Sequence, residues 1–184
     1  MQGQMSVFKT ILSDLFFYKS AFQARSFLSI LFFNKSFHLL FLYRLLSSIW
    51  ITPVLRPLRI VIRFFAEIYT GCEIHPEANL GSCLLFPHPI GIVIGRGTCV
   101  KDNVTIYQNV TLGNRGADSS VSQYPVIEDN VVIYAASSVL GYVTIGSNSI
   151  IGAHSLVLTS FNQNSIIAGS PARLLRLNEN FISL

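Results

Sequence analysis

With 184 residues, 51% of them apolar and 12% charged, and a mean hydropathy of +0.50, the chain holds enough apolar surface for one buried core with a short appendage, which excludes a disordered protein. Its formal charge of +4 is unevenly placed: residues 1–70 carry eight Lys and Arg against Asp14 and Glu67, whereas residues 71–184 carry five against seven acids. Cys72, Cys83 and Cys99 are odd in number and lack CxxC spacing, so they indicate neither a disulfide framework nor a zinc site, and no metal or nucleic-acid partner is expected.

The first 70 residues hold eleven of the fourteen Phe. Their longest stretch without Lys, Arg, Asp or Glu runs only from Leu45 to Leu55, short of the roughly 20 apolar residues that span a bilayer, and no transmembrane helix is expected. Met1 to Met5 has no basic run and no cleavable apolar segment follows, so a cytoplasmic location is expected. From Phe8 to Tyr69 apolar residues recur at spacings of three and four, the signature of helix. Pro53 and Pro57 interrupt it, which predicts two or three helices with a break near Ile51 to Pro57. Two roles suit this basic, aromatic segment: peripheral contact of residues 1–66 with an anionic membrane, or a cap on the domain that follows.

Beyond Gly71 the apolar period becomes six: Ile74 and Leu80, then Ile94, Val100, Ile106 and Leu112, then Ile127, Ile133, Val139, Ile145, Ile151 and Val157. An amphipathic helix does not repeat every six residues and a plain strand repeats every two, so the unit is a short strand plus a corner, the pattern of a parallel β-helix. Three residues after the aliphatic stand Gly97, Asn103, Asn109, Asn130 and Asn148, types that tolerate positive φ. Four residues after it stand small or β-branched side chains, among them Ala78, Thr98, Val104, Ser137, Ser149 and Ser155, which fit inside a narrow prism. Three segments are predicted: helical residues 1–70, a β-helix over 71–162, and a tail over 163–184 that leaves the register at Gln163. The phase breaks twice, with an interval of eight between Phe86 and Ile94 and of fifteen between Leu112 and Ile127. Loops extruded from a rigid frame are where function is expected.

The segments GCEIHPEANLGSCLLFPHPIGIVIG, VTLGNRGA and IIAGSPARLL resemble the serine acetyltransferase branch of the hexapeptide-repeat acyltransferases, over roughly residues 60 to 176. Within that branch GNRGAD and the Glu of CEI look closer to colanic-acid and capsular-polysaccharide O-acetyltransferases. The resemblance implies a left-handed parallel β-helix, a homotrimer, and acetyl-CoA lying in the groove between neighbouring prisms. It also implies that His88 is the general base, since an alcohol attacks a thioester only as a base with pKa near neutrality removes its proton. Glu73 stands where the family has the Asp that orients this histidine. Gly113, Ala135 and Ala153 match positions whose lack of bulk admits the pantetheine arm, and Arg173 and Arg176 are candidates for the CoA phosphates. His75 and His154 are read as structural, and His38 is assigned no chemistry.

Serine acetyltransferases place an Asp before the catalytic histidine and an Arg-His pair before the proline closing the long loop; here those positions hold Pro87, Gln123 and Tyr124. Loss of all three charged groups points to a neutral acceptor, with Gln123 and Tyr124 binding hydroxyls. The expected reaction is therefore O-acetylation of a sugar hydroxyl on a surface polysaccharide or its precursor. Serine O-acetylation and a catalytically silent β-helix scaffold are the alternatives.

Overall fold

The computed structural model describes residues 7–24, 26–50, 52–116 and 123–178. Four helices come first: α1 (Val7–Ala21), α2 (Phe27–Phe33), α3 (Lys35–Ile49) and, after a single 3-10 turn at Pro53–Leu55, α4 (Arg56–Thr70). The break falls where the prolines predict it, but the described residues form four helices, not two or three. Capping explains the difference. Ser26 accepts from Ser29 N to start α2, and Asn34 both ends α2, donating its N–H to Ile30 O, and starts α3, accepting from Phe37 N. These polar punctuation marks are easily missed. Gly71, at φ 67°, closes α4 in the left-handed conformation that glycine adopts without strain.

α3 closes the open end of the β-helix. A first coil has no coil below it to satisfy its carbonyls, and α3 supplies the donors: Tyr43 Oη to Ala78 O (2.6 Å), Arg44 to Leu80 O (2.7 Å) and Gly81 O, and Ser36 to Phe86 O. Arg44 is itself fixed by Asp14 of α1 at 3.2 Å. No described helix is long and apolar enough to cross a membrane. The outer side of α4 is nonetheless strongly apolar, with Ile60, Phe64, Phe65 and Ile68 exposed.

From Glu73 the chain winds into a left-handed parallel β-helix of three faces. The first face stacks Glu73–Ile74, Val93–Ile94, Thr111–Gly113, Ser138–Leu140 and Leu156–Val157. The second stacks Asn79–Leu80, Cys99–Val100, Val126–Ile127 and Thr144–Ile145, and the third Thr105–Ile106, Val132–Ile133, Ile150–Ile151 and Ser165–Gly169. Register places each aliphatic on its counterpart one coil on, as in Ile94 on Leu112 and Ile133 on Ile151. Of the twelve phased aliphatics eleven are buried and only Ile74, in the capped first coil, is half-buried. The small inward side chains are buried as well, and their hydroxyls bond the wall: Ser137 Oγ and Ser155 Oγ both donate to Gly152 O, at 2.8 and 2.6 Å.

Asn103, Asn109, Asn130, Asn148 and His154 all have φ between 57 and 60°, in keeping with the corner role read from the repeat and with a structural part for His154. Asn130, Asn148 and Asn164 also hydrogen-bond in a ladder at one corner, at 3.1 and 3.0 Å. Gly97 departs from the expectation: its corner closes by a bond from Thr98 N to Gly95 O (3.1 Å), a turn that needs no positive φ there. Conversely Ala136, at φ 59°, takes the left-handed conformation with a side chain that gives no such signal.

The segment expected to leave the register at Gln163 stays in it longer. Ser165 and Ile167 still face inward, and Ser165–Gly169 pairs in parallel with Ile150–Ile151. Only after Gly169 (φ 106°) does the chain reverse, and Ala172–Leu177 returns antiparallel along the same face.

Candidate active site

Both phase breaks emerge as loops at prism edges, but at different ones. Residues 87–92 leave the third face and enter the first, whereas residues 114–116 leave the first face and residues 123–125 lead into the second. The first loop is tied down by its backbone: Gly91 N donates to Gly71 O (2.7 Å) and Ile90 N to His88 O (2.9 Å). Gly91 has φ 64°, and an added Cβ would lie 2.2 Å from Asn109 Oδ1, so this position demands glycine. The flanking Pro89 is buried while His88 itself is exposed. An anchored loop thus presents a free imidazole at the third-to-first edge.

Ala135 and Ala153 lie along that same edge, one coil apart, each at the corner after a third-face strand; Ala135 O accepts from His154 N at 2.9 Å. Gly113 ends its first-face strand opposite Leu140, and a Cβ there would meet nothing closer than 3.6 Å, so packing within the chain does not require this glycine. Arg173 and Arg176 are exposed on the last strand. Gln123 and Tyr124 sit at the other edge of the first face, with Tyr124 packed over Gly95, where a Cβ would lie 2.5 Å from its ring. One chain therefore assembles His88, Ala135 and Ala153 on one edge and holds Gln123 and Tyr124 a face away.

Glu73 begins the first strand of the first face, beneath the His88 loop, but its carboxylate is engaged elsewhere. Arg63 Nη2 of α4 donates to Glu73 Oε1 at 2.7 Å, while Arg63 Nε donates to Glu67 at 2.6 Å. Among the described residues neither Glu73 nor any other side chain hydrogen-bonds the His88 ring. The expected pair is not formed among the described residues, where the Glu73 carboxylate is bound by Arg63 of α4.

Sequence reasoning missed three residues on the His88 edge. Tyr107 lies beside His88, ring centroids 6.3 Å apart, and stacks on Tyr134 at 5.0 Å and 26°. Both follow an inward isoleucine by one residue, Ile106 and Ile133, a signal that places each at a corner but does not say which coil neighbours which. Next to Tyr107, Gln108 keeps its buried Oε1 without a partner among the described residues.

The remaining histidines are structural. His38 Nε2 donates to Leu31 O and Nδ1 accepts from Tyr69 Oη, both at 2.7 Å, which joins three helical segments and fixes the tautomer. His75 Nδ1 accepts from Glu77 N at 3.1 Å, beside Trp50. That bond needs the neutral ring, and burial lowers the His75 pKa against the opposing pull of Glu77. A depressed folded-state pKa means that the unfolded chain takes up the proton first. Stability is therefore expected to fall as pH drops below the ordinary value of 6.5 and to stay flat above it. Melting temperatures at about pH 7.5 and about pH 5.5 should diverge more for the wild type than for His75→Gln; equal divergence would remove His75 as the source.

A family model, bacterial transferase hexapeptide (six repeats), matches residues 124–159. The serine acetyltransferase of Staphylococcus xylosus is 46% identical over 116 residues, covering 63% of this chain and 51% of that protein. Among solved structures, Neisseria gonorrhoeae serine acetyltransferase superposes with TM-score 0.84 at 28% identity, covering 94% of this chain and 66% of that one. The serine acetyltransferase of Brucella abortus strain S19 does so with TM-score 0.80 at 31% identity, covering 92% and 68%. The chain belongs to the hexapeptide-repeat acyltransferases of serine acetyltransferase type. It spans about half the length of the curated relatives it matches.

These findings correct the expected acceptor. The relative and both solved structures are serine acetyltransferases, so the saccharide acceptor and the closer likeness to colanic-acid and capsular-polysaccharide enzymes are withdrawn. The expectation rested on neutral residues at Pro87, Gln123 and Tyr124, and three positions do not exhaust the places from which charge can reach a zwitterion.

Proposed function

We propose that the protein transfers the acetyl group of acetyl-CoA to the hydroxyl of L-serine, with His88 as general base. The observation that carries this reading is the exposed imidazole on an anchored loop, at an edge kept slim by Ala135 and Ala153, in a chain that shares 46% identity over 116 residues with a serine acetyltransferase. His88 takes the hydroxyl proton as the oxygen attacks the thioester carbonyl. The tetrahedral intermediate collapses, the C–S bond breaks, and the imidazolium returns the proton to the departing thiolate, leaving O-acetylserine and CoA.

Other parts of the edge suit the same chemistry. Arg63 engages only Oε1 of Glu73, leaving Oε2 to receive an imidazole N–H and to steady the imidazolium that forms. Gly113 lies at the end of its strand with room for a thioester, and Arg173 and Arg176 offer charge to the CoA phosphates. A cyclic trimer accounts for a site divided between two edges, since rotation brings one edge of each prism against the other edge of its neighbour. Helix α4 then has partners for its apolar side.

Purified protein with acetyl-CoA should release CoA thiol on addition of L-serine and accumulate O-acetylserine. Thiol release that L-serine does not stimulate overturns the proposal.

A further inference from the structure

Serine carries a carboxylate as well as a hydroxyl, and taking a carboxylate out of water demands a charged or well-aimed donor. Pro87, Gln123 and Tyr124 supply no charge. Of the five cations in residues 71–184, Arg96 is engaged by Glu77, Arg173 and Arg176 lie on the last strand, and Lys101 is exposed at the edge between the second and third faces. The fifth is Arg115.

We propose that Arg115 holds the acceptor carboxylate, in a cavity of about 420 Å³ that it lines with Gln123, Leu140, Gly141, Tyr142 and Leu158. This inference rests on the serine reading. Three features support it. Arg115 is seated: a Cβ on Gly141 would lie 3.2 Å from Arg115 Cβ and 3.6 Å from its Cδ, and Gly141 has φ 91°, so that glycine provides both the turn and the bed for the arginine stem. Its guanidinium makes no ion pair among the described residues. Gln123 and Tyr142 join Arg115 in a lining that is otherwise apolar, which suits a small polar ligand held at one charged end.

Position within the fold assigns the cavity its partner. It lies at the first-to-second edge, beside the residues where the long loop leaves and returns, whereas His88 lies at the third-to-first edge. A face of the prism separates the two within one chain. Arg115 therefore anchors serine for the His88 of an adjacent copy, and each site takes its anchor and its base from different chains.

The test is steady-state kinetics on the full chain, varying L-serine and acetyl-CoA separately. Arg115→Ala should raise the KM for L-serine by about 10- to 100-fold, the range of one charge-assisted hydrogen-bonded contact, with kcat and the KM for acetyl-CoA changed by less than about threefold. Arg115→Lys should recover part of the loss. Wild type should prefer L-serine to L-serinamide, which lacks the carboxylate charge, and Arg115→Ala should lose that preference. Co-expressed Arg115→Ala and His88→Ala chains should regain activity that neither has alone at low serine, because mixed assemblies contain sites with both residues intact. If wild type turns over serine but Arg115→Ala keeps its serine KM, or raises only the KM for acetyl-CoA, the anchor is elsewhere and the serine reading stands. If wild type does not acetylate serine at all, both fall.

Discussion

His88→Ala is expected to lower kcat by about two to four orders of magnitude, the range typical of a missing general base, with little change in melting temperature. The two halves of this expectation have separate structural causes. The imidazole is exposed and makes no hydrogen bond among the described residues, so the fold loses little on its removal. The loop keeps its shape through backbone contacts, Gly91 N to Gly71 O and Ile90 N to His88 O, and through the buried Pro89. Turnover measured by thiol release, beside a thermal melt, checks both halves. A variant with wild-type turnover removes His88 from the chemistry, and one that fails to fold shows that the loop depends on the ring.

The largest expected effect on stability is at Arg44. Its side chain is only 10% exposed and that of Asp14 only 2%, and burial raises the Asp14 pKa against the countering charge of Arg44. Arg44→Ala leaves the aspartate buried without its partner and strips a donor from the carbonyls of Leu80 and Gly81. Removing one member of a buried pair costs about 3–5 kcal/mol, and denaturant unfolding should show a loss of that order. The double change Arg44→Met with Asp14→Leu, which removes both charges and keeps the volume, should recover much of it. If Arg44→Ala melts like the wild type, α3 is not the element that closes the prism.

The β-helix was legible because its repeat is enforced from inside: every sixth residue must fill the prism, and Ile94, Ile106, Ile127 and Ile145 announce that constraint without any long-range information. Corner asparagines announce the positive φ. Ala136 escaped notice because alanine takes that φ only when coils above and below impose it, and Gly97 misled because glycine is also used where no positive φ is needed. The four helices were undercounted because two of the signals that divide them, Ser26 and Asn34, are short polar caps beside charged residues, Arg25 and Lys35, that a helix also carries in its interior. At the site, His88 was legible from the broken period, and its stacked neighbours Tyr107 and Tyr134 were not, since which residues share an edge depends on the length of each intervening loop. The pairing of Glu73 with Arg63 was hidden for the same reason: it joins a helix to a coil across a boundary that no repeat spans. The acceptor was misjudged by counting only the family's own charged positions.

The reversal at Gly169 also bears on how the protein behaves in a crowded solution. A parallel β-helix ends in open backbone groups in the geometry that the next coil would use, so an unprotected end is a template on which a second molecule could continue the stack. At one end α3 occupies those groups with side-chain donors. At the other, Ala172–Leu177 lies antiparallel on the third face, so the outermost ladder no longer matches the direction of an incoming coil. On that face the ladder is guarded against end-to-end growth, and removal of the return strand is expected to show itself as self-association in light scattering.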